Sequence, residues 1–323
     1  MKATRWILLA LGLAFLGYLV AQVGPGTVLA SIQTLSWRLL VVLVFPFALV
    51  TTMDTLGWRF AFRRDLTSFR TLLSVRLVGE AFNLTTPTAS MGGEPVKAYL
   101  LRPRVPLEEG LASVIVGKTT IALAQGLFLA VGLALAWFLL TLPSAFLNGM
   151  TGFLVIEILA LGGFALIQLL GVLGRGLGFL TKLGVLWGAG RTEKFHRLDR
   201  TLTLFYREHP RRLGLSLLFH FFGWLLGTLE VYLILYFLGI PVPLLTALVI
   251  EAFGAAIKVA AFMIPAGLGA LEGGNMVVFT LLGLGAGVGL SYTLIRRLRE
   301  LTWVSVGLIL LALVHSFAPD VRA

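Results

Sequence analysis

The sequence has no cysteine and few charged residues, since Asp, Glu, Lys and Arg make up only 13% of its 323 positions. The absence of cysteine excludes disulfide bonds, thiol redox chemistry and cysteine-bound zinc. A soluble domain carries about 25% charged residues, so the shortage of charge excludes an ordinary soluble fold. The four histidines show no metal-ligand spacing. The sequence therefore predicts neither a metal site nor a cofactor.

Long apolar runs are what the sequence has instead. Hydrophobic residues make up 58% of the chain, and the mean hydropathy is +0.95. Such runs satisfy their backbone groups in lipid as helices, and the short alternating segments of a membrane β-barrel are missing. We therefore predict an all-α, polytopic integral membrane protein that forms one membrane domain over residues 1–323. About six full spans are expected: 6–23, 39–58, 111–140, 151–173, 213–238 and a last one from behind Arg299 to Phe317.

The net charge of +11 is concentrated in a few basic stretches. Basic loops of membrane proteins face the cytoplasm and its anionic lipids, so this charge does not indicate a nucleic-acid partner. The pattern predicts a bacterial-type inner membrane protein with the N-terminus, 59–76, 102–104 and 174–212 in the cytoplasm. Residues 174–212 are also expected to form a basic amphipathic segment at the membrane surface. The arginines of 296–299 fit this topology poorly, so either one crossing is missing or they lie inside the protein.

Two apolar segments are interrupted by proline and glycine. In each, a glutamate follows a proline by seven positions: Glu94 follows Pro87, and Glu272 follows Pro265. A broken helix frees backbone groups, which is tolerated at membrane depth only inside protein or beside water. Paired broken helices in two halves of a transporter point to its central site. We therefore predict two re-entrant helix pairs in an inverted repeat. The two segments are 71–104 and 242–290.

Several ionisable residues lie in otherwise apolar sequence. A charge at mid-membrane costs roughly 2.5–3.5 kcal/mol on insertion scales, so the retention of this many indicates a polar interior. Glu80 and Lys97 are expected to reach toward an interface, and Glu251 and Lys258 are candidates for a pair from adjacent turns of one helix. The mixed signs suit a zwitterionic or anionic headgroup. The full set is Glu80, Glu94, Lys97, Lys118, Glu157, Glu230, Glu251, Lys258 and Glu272.

Motifs in the two broken segments resemble the signatures of a known family. The residues that carry the likeness are Asn83, Pro87, Gly92, Gly93, Glu94 and Lys97 in the first segment, and Pro265, Gly267, Gly269, Glu272, Arg297 and Trp303 in and after the second. The family is the flippase-like group named for the membrane region of lysylphosphatidylglycerol synthase, and the likeness spans nearly the whole chain. The resemblance implies a lipid-handling membrane protein, because translocation of aminoacylated phospholipid is assigned to the best-known members.

Two positions depart from the pattern of that family. Lys97 stands where members usually carry Arg, and Gly117-Lys118 stands where Glu-Arg is expected. The positive charge is kept at both positions, but bidentate recognition of a phosphate by arginine is lost. The identity of the lipid is therefore left open. Residues 272–274 and 296–300 also show a weaker likeness to the branch associated with hopanoid lipids.

These features favour a lipid transporter of flippase type that moves a phospholipid or related polar-headgroup lipid. The phosphate-loop-like stretch 112–119 lies in an apolar run with no strand before it, so ATP is not expected as a direct energy source. We expect a transporter rather than an enzyme, as either a monomer or an oligomer, with membrane lipids as partners. The predicted lipid-binding residues are Asn83, Pro87, Gly92, Gly93, Glu94, Lys97, Lys118, Lys258, Pro265, Gly267, Gly269, Glu272, Arg296 and Arg297.

Two other functions stay open on the sequence alone. An integral-membrane lipid-modifying enzyme would use Glu94 and Glu272 as an acid–base pair on a headgroup. Against it, no nucleophile accompanies a base, and 174–212 is too short for a transferase domain. A non-transporting partner of lipid or cell-envelope synthesis is the other alternative. In that protein, the buried charges would serve folding alone.

Overall fold

The computed structural model describes residues 17–18, 20–21, 24–86, 92–172 and 192–316. Pro87 and most of the first predicted span lie outside these residues. The described chain forms eleven α-helices and one 3-10 turn, without a strand among these residues, which confirms the all-α fold. The helices are α1 (Pro25–Leu35), α2 (Arg38–Phe60), α3 (Phe69–Thr85), α4 (Gly93–Leu101), α5 (Leu107–Leu139), α6 (Ser144–Leu169), α7 (Thr192–Glu208), α8 (Pro210–Phe237), α9 (Leu244–Ala260), α10 (Ala270–Leu281) and α11 (Ala286–Ser316).

Four of the described helices, α2, α5, α6 and α8, are long and apolar enough to cross a membrane. The shortest of the four has 23 residues. Such a helix is about 35 Å long and exceeds the roughly 30 Å of a hydrocarbon core. These helices correspond to four of the six predicted spans. The last predicted span is part of α11, but this helix begins at Ala286 rather than behind Arg299. The arginines of 296–299 therefore lie within a continuous helix and not in a loop before it.

The helices fall into two units with the same order of elements. Each unit begins with a long helix (α2 or α8), continues with two shorter helices and ends with a long helix (α5 or α11). We call α3 with α4 hairpin 1, and α9 with α10 hairpin 2. The helices α2 and α8 pack antiparallel, since Gly57 lies against His220 while the carbonyl of Phe62 accepts from Arg212. The two units therefore begin in opposite directions, as an inverted repeat requires.

Both hairpins fold back on themselves. In hairpin 1, Gly93 at the start of α4 packs on Gly79. Just beyond the end of α4, Arg104 donates to Thr71 in the first turn of α3 at 2.7 Å. The helices of hairpin 2 pack on each other in the same antiparallel way. Because α4 has only nine residues, it is about 14 Å long and too short to cross a membrane.

The two hairpins start at opposite ends of α8. The loop that leads into hairpin 1 lies beside the first turn of α8, where Arg212 donates to Asp65 at 2.8 Å. A hydrogen bond from Arg59, aided by Arg212, holds the pKa of Asp65 below its usual range. Hairpin 2 begins at Leu244, shortly after α8 ends. Since α8 has 28 residues, about 42 Å of helix separates the two starting points.

The helix α7 is the described part of the amphipathic segment predicted at 174–212. Its Leu202 and Phe205 are buried against α5, and the Tyr206 hydroxyl donates to Gln168 on α6 at 2.9 Å. Burial raises the pKa of Tyr206 to about 12. The apolar face of α7 is thus docked on the long helices α5 and α6. Residues 174–191 lie outside the described part of the chain.

Candidate functional site

A first concentration of buried charge lies at hairpin 1, and we call it the first cluster. Lys97 on α4 is at its centre, with Nζ 3.1 Å from Glu80 and 3.2 Å from Glu94. Lys118 on α5 approaches the same Glu94 oxygen at 3.0 Å. Glu94 is therefore held by two cations from two helices. The first cluster consists of Asp54, Arg76, Glu80, Glu94, Lys97, Lys118 and His220.

Asp54 on α2 links the first cluster to α8. Arg76 on α3 donates to Asp54 Oδ2 at 2.8 Å and lies 3.8 Å from Glu80. His220 on α8 places Nδ1 3.2 Å from the other oxygen of Asp54. The cluster thus joins five helices around three carboxylates and three permanent cations. Its formal charge is zero when His220 is neutral.

The start of α4 is fixed to α3 by a side chain and by close backbone packing. The backbone N–H of Gly93 donates to Asn83 Oδ1 at 2.8 Å, and Asn83 Nδ2 donates to Glu94 at 3.1 Å. A Cβ on Gly93 would overlap the carbonyl oxygen of Gly79, so this approach requires glycine. Gly92 is the residue that precedes the helix. Asn83 therefore both anchors α4 and orients the Glu94 carboxylate.

A second concentration of buried charge lies at hairpin 2, and we call it the second cluster. Arg296 on α11 makes two contacts with Glu251 on α9, at 2.6 and 3.1 Å. One helical turn further, Arg299 donates to Glu230 on α8 at 2.5 Å. The predicted pairing of Glu251 with Lys258 is therefore wrong, because the arginine presents a bidentate fork to the carboxylate. The second cluster consists of Glu230, Glu251, Glu272, Tyr292, Arg296, Arg297, Arg299 and Glu300.

The 3-10 turn Pro265–Gly267 connects the two helices of hairpin 2. Its Ala266 and the following Gly269 have φ angles of 53° and 79°. Arg297 donates to the carbonyl of Ala266 at 2.8 Å and to Glu272 at 2.9 Å. Glu272 also accepts the backbone N–H of Gly269 at 2.7 Å. The glutamate of the second motif therefore caps α10 and is ion-paired to the long helix that follows the hairpin, as Glu94 is in hairpin 1.

Each cluster lines an open cavity. The first cavity, at the first cluster, holds about 310 Å³ of empty space counted to its mouth, and the second, at the second cluster, about 480 Å³. Lys258, Asn275 and Arg297 line the second cavity. Asn275 is only 4% exposed. Among the described residues, neither its Oδ1 nor the Nη2 atom of Arg297 has a hydrogen-bond partner. The walls of the second cavity thus keep one acceptor and one donor available.

The structure divides the predicted site residues into two groups. Glu94 and Glu272 belong to different clusters and share no ion-pair partner within the described residues. The two groups still adjoin, because α3 contacts the 3-10 turn of hairpin 2. The first group is Asn83, Gly92, Gly93, Glu94, Lys97 and Lys118; the second is Lys258, Pro265, Gly267, Gly269, Glu272, Arg296 and Arg297.

Sequence reasoning did not predict Asp54, Arg76 or His220 as members of the first cluster, and it misplaced Lys97. Arg76 was expected in the basic loop 59–76, but it lies in α3 and pairs with Asp54. Lys97 was expected to reach an interface, yet it is 4% exposed and doubly paired. His220 had been given no role. The signal for Asp54 was present, since an acid inside an apolar run needs a partner.

Comparisons with known proteins agree with these features. The sequence model of the family described as the lysylphosphatidylglycerol synthase TM region matches residues 5–309. A protein described as a UPF0104 membrane protein from Methanothermobacter thermautotrophicus is 26% identical over 320 residues, covering 94% of each chain. No solved structure shows a significant match.

Proposed function

The chain belongs to the family of lysylphosphatidylglycerol synthase transmembrane regions, and from that premise we propose that it is a lipid transporter of flippase type. It moves a phospholipid or a related polar-headgroup lipid between the two leaflets of the membrane and hydrolyses no ATP itself. The headgroup passes through the two cavities, while the hydrocarbon tails stay in the bilayer.

One observation carries this proposal: a cluster of paired buried charges in each unit lines an open cavity inside a bundle whose outward faces are apolar. A charged headgroup crosses a bilayer slowly because mid-membrane charge is costly. A path of paired charges lowers this cost, since the headgroup exchanges contacts with water for contacts with side chains. The helices α5 and α6 present apolar faces outward, including Trp137, Phe138, Ile156 and Leu159, which suits contact with lipid tails.

The second cavity supplies complementary groups for a headgroup. Lys258 and Arg297 offer positive charge and N–H donors to a phosphate, while Asn275 offers an unpartnered acceptor to an amine or a hydroxyl. In the first cavity, Lys118 is the most accessible cation, with 38% of its side chain exposed. A phosphate that enters here competes with Glu94 for Lys118. Glu94 keeps its contact with Lys97 during this exchange, so the displaced carboxylate still has a cationic partner.

The placement of the hairpins supports alternating access from the two faces of the membrane. We propose that hairpin 1 is a re-entrant element on the cytoplasmic side, because basic residues such as Arg63 and Arg64 flank it. Hairpin 2, which starts about 42 Å away along α8, is then the re-entrant element on the outer side. This arrangement places the N-terminus in the cytoplasm of an inner-membrane protein.

The test is lipid translocation in proteoliposomes that contain fluorescent, acyl-labelled phosphatidylglycerol or phosphatidylethanolamine. Reduction of the label in the outer leaflet by dithionite reports lipid that has moved outward. We expect wild-type protein to accelerate movement well beyond that in protein-free vesicles. Glu94→Gln, Glu272→Gln and Lys118→Ala are expected to lower the rate at least tenfold. Wild-type protein that moves neither lipid, or wild-type rates in all three folded variants, would contradict the proposal.

A matched control separates transport from folding. Glu157 on α6 is a buried carboxyl outside both clusters, so Glu157→Gln is expected to keep the wild-type translocation rate. Thermal unfolding and gel filtration establish that each variant is folded. Mass spectrometry of the vesicle lipids tests the enzyme alternative, since a transporter leaves its lipid chemically unchanged. A variant set that changes unfolding temperature but never translocation would favour the scaffold alternative.

A further inference from the structure

His220 is the one histidine among the described side chains that lies within a charge cluster. It is 1% exposed and lies in the wall of the first cavity. Its Nδ1 is 3.2 Å from Asp54 Oδ1. The ring also packs closely against Gly57, since a Cβ at that position would lie only 2.7 Å from Nε2. The imidazole therefore has one orientation and one fixed partner.

The second ring nitrogen of His220 is left without a partner. With Nδ1–H donating to the Asp54 carboxylate, Nε2 is a bare acceptor. Among the described residues, no group donates to this buried atom. Buried polar atoms without a partner are rare and costly, and a histidine nitrogen is the atom in proteins that gains or loses a proton most easily near neutral pH. Nε2 of His220 is therefore an acceptor that can take up one proton.

The charge balance of the first cluster indicates when Nε2 of His220 becomes protonated. Three carboxylates face three permanent cations around His220, so the cluster is neutral with a neutral imidazole. An anionic headgroup that enters the first cavity makes the total charge −1, and an uncompensated buried charge is strongly unfavourable. One proton on Nε2 returns the total to zero. The charged groups that face His220 are Asp54 from α2, Arg76 and Glu80 from α3, Glu94 and Lys97 from α4, and Lys118 from α5.

We infer that His220 is the proton site of a proton-coupled lipid transporter. Nε2 takes a proton from water when an anionic headgroup binds in the first cavity, and it releases that proton to water on the other side when the headgroup leaves. One proton then moves with each anionic lipid. The inference rests on the proposed function, and it assigns the driving ion, which that function leaves open.

The first experiment measures the protonation state of His220 independently of lipid transport. Protein labelled with ¹³C and ¹⁵N in histidine is placed in nanodiscs of phosphatidylcholine or phosphatidylglycerol. The chain has four histidines, so the resonance lost in His220→Gln identifies the signal of His220. In phosphatidylglycerol, we expect this signal to show a charged imidazole at a pH at which it is neutral in phosphatidylcholine. A signal that is the same in both lipids at every pH overturns the inference.

The second experiment measures coupling in proteoliposomes with a gradient of one pH unit. One proton per lipid predicts that labelled phosphatidylglycerol accumulates about tenfold in the leaflet on the alkaline side, while zwitterionic phosphatidylcholine does not. His220→Gln and Asp54→Asn are expected to abolish this accumulation. His209→Gln, at the start of α8 outside the cavity, is the matched control and is expected to keep it.

The outcomes separate failure of the inference from failure of the proposed function. A protein that moves phosphatidylglycerol equally with and without the gradient overturns proton coupling and leaves lipid transport standing. A His220 signal that responds to phosphatidylglycerol, in a protein that moves no lipid, supports the proton site and contradicts the transporter. Accumulation that persists in folded His220→Gln overturns the assignment of the proton to this residue.

Discussion

The two charge clusters occupy corresponding places in the two units but differ in their cations. The first cluster has two lysines beside Arg76, and the side chain of Lys118 is 38% exposed. The second relies on three arginines of α11, and its Glu230 and Glu272 side chains are only 2% and 0% exposed. A lysine ammonium is a point charge that changes partners easily, whereas a guanidinium fork holds a carboxylate in one geometry. In the proposed transporter, this difference predicts easier ligand exchange at the first cluster and a more rigidly braced second cluster.

Removal of Arg299 gives the largest expected difference between the two clusters. Arg299→Met leaves the buried Glu230 with only Arg296, whose contact is 3.5 Å, and loss of one partner of a buried pair costs about 3–5 kcal/mol. Lys118→Met removes a partly exposed charge and is expected to cost below about 1 kcal/mol. Denaturant unfolding of the purified variants in detergent measures both. Equal losses would contradict the division of roles.

Disruption of the close packing in hairpin 1 gives the next largest expected loss of stability. Gly93→Ala forces α4 away from Gly79, and overpacking of this kind costs about 3 kcal/mol. The separation also moves Glu94 away from Asn83, so lipid transport is expected to fall together with stability. Gly152→Ala on α6 meets no atom within 4 Å and serves as the control. A wild-type unfolding midpoint in Gly93→Ala would show that the hairpin tolerates a wider gap.

Exchange of the two kinds of cation tests the bracing role directly. Arg297→Lys loses hydrogen bonds among the three that Arg297 makes to Glu272, Glu300 and Ala266, and we expect a loss of about 1.5 kcal/mol. Lys118→Arg keeps the charge and its single contact, so its stability should change by less than about 0.5 kcal/mol. Paired unfolding curves at the same protein concentration are the measurement. A larger loss in Lys118→Arg would reverse the comparison.

A substitution in the strained turn of hairpin 2 gives the smallest expected change in stability. This change is a gain, whereas the others are losses. Ala266 is held at φ 53°, a conformation that costs an L-residue about 1–2 kcal/mol. Glycine adopts it freely but loses more entropy on folding. Ala266→Gly is therefore expected to stabilise the protein by about 0.5–1 kcal/mol, seen as a higher unfolding midpoint. A lower midpoint would mean that the methyl group of Ala266 contributes packing that outweighs the strain.

The sequence allowed much of the fold to be predicted, because apolar runs in lipid have few alternatives to the helix. The two Pro-to-Glu motifs located both hairpins, since proline and glycine mark where a helix must end. The ion pairs were harder. Asp54 and His220 come from separate helices, and one sequence contains no signal for contacts at such a distance along the chain.

The arginines of α11 lie inside the protein, which is one of the two alternatives that the sequence left open. The positive-inside rule assigns basic residues to loops, because it counts each charge as unpaired. Arg296, Arg297 and Arg299 each meet a carboxylate inside the bundle, so their charge is neutralised and they stay within the helix. The pairing of Glu272 with Arg297 was similarly hidden, although both residues had been singled out.

Single-cysteine labelling tests the proposal that the two hairpins open to opposite faces of the membrane. The chain has no cysteine of its own, so any thiol signal comes from the introduced residue. Arg64→Cys marks the loop into hairpin 1, and Pro241→Cys marks the loop into hairpin 2. In intact cells, a membrane-impermeant maleimide should label Pro241→Cys and should label Arg64→Cys only after the membrane is opened. Labelling of both positions from the same side would contradict the proposed opposite orientation of the two hairpins.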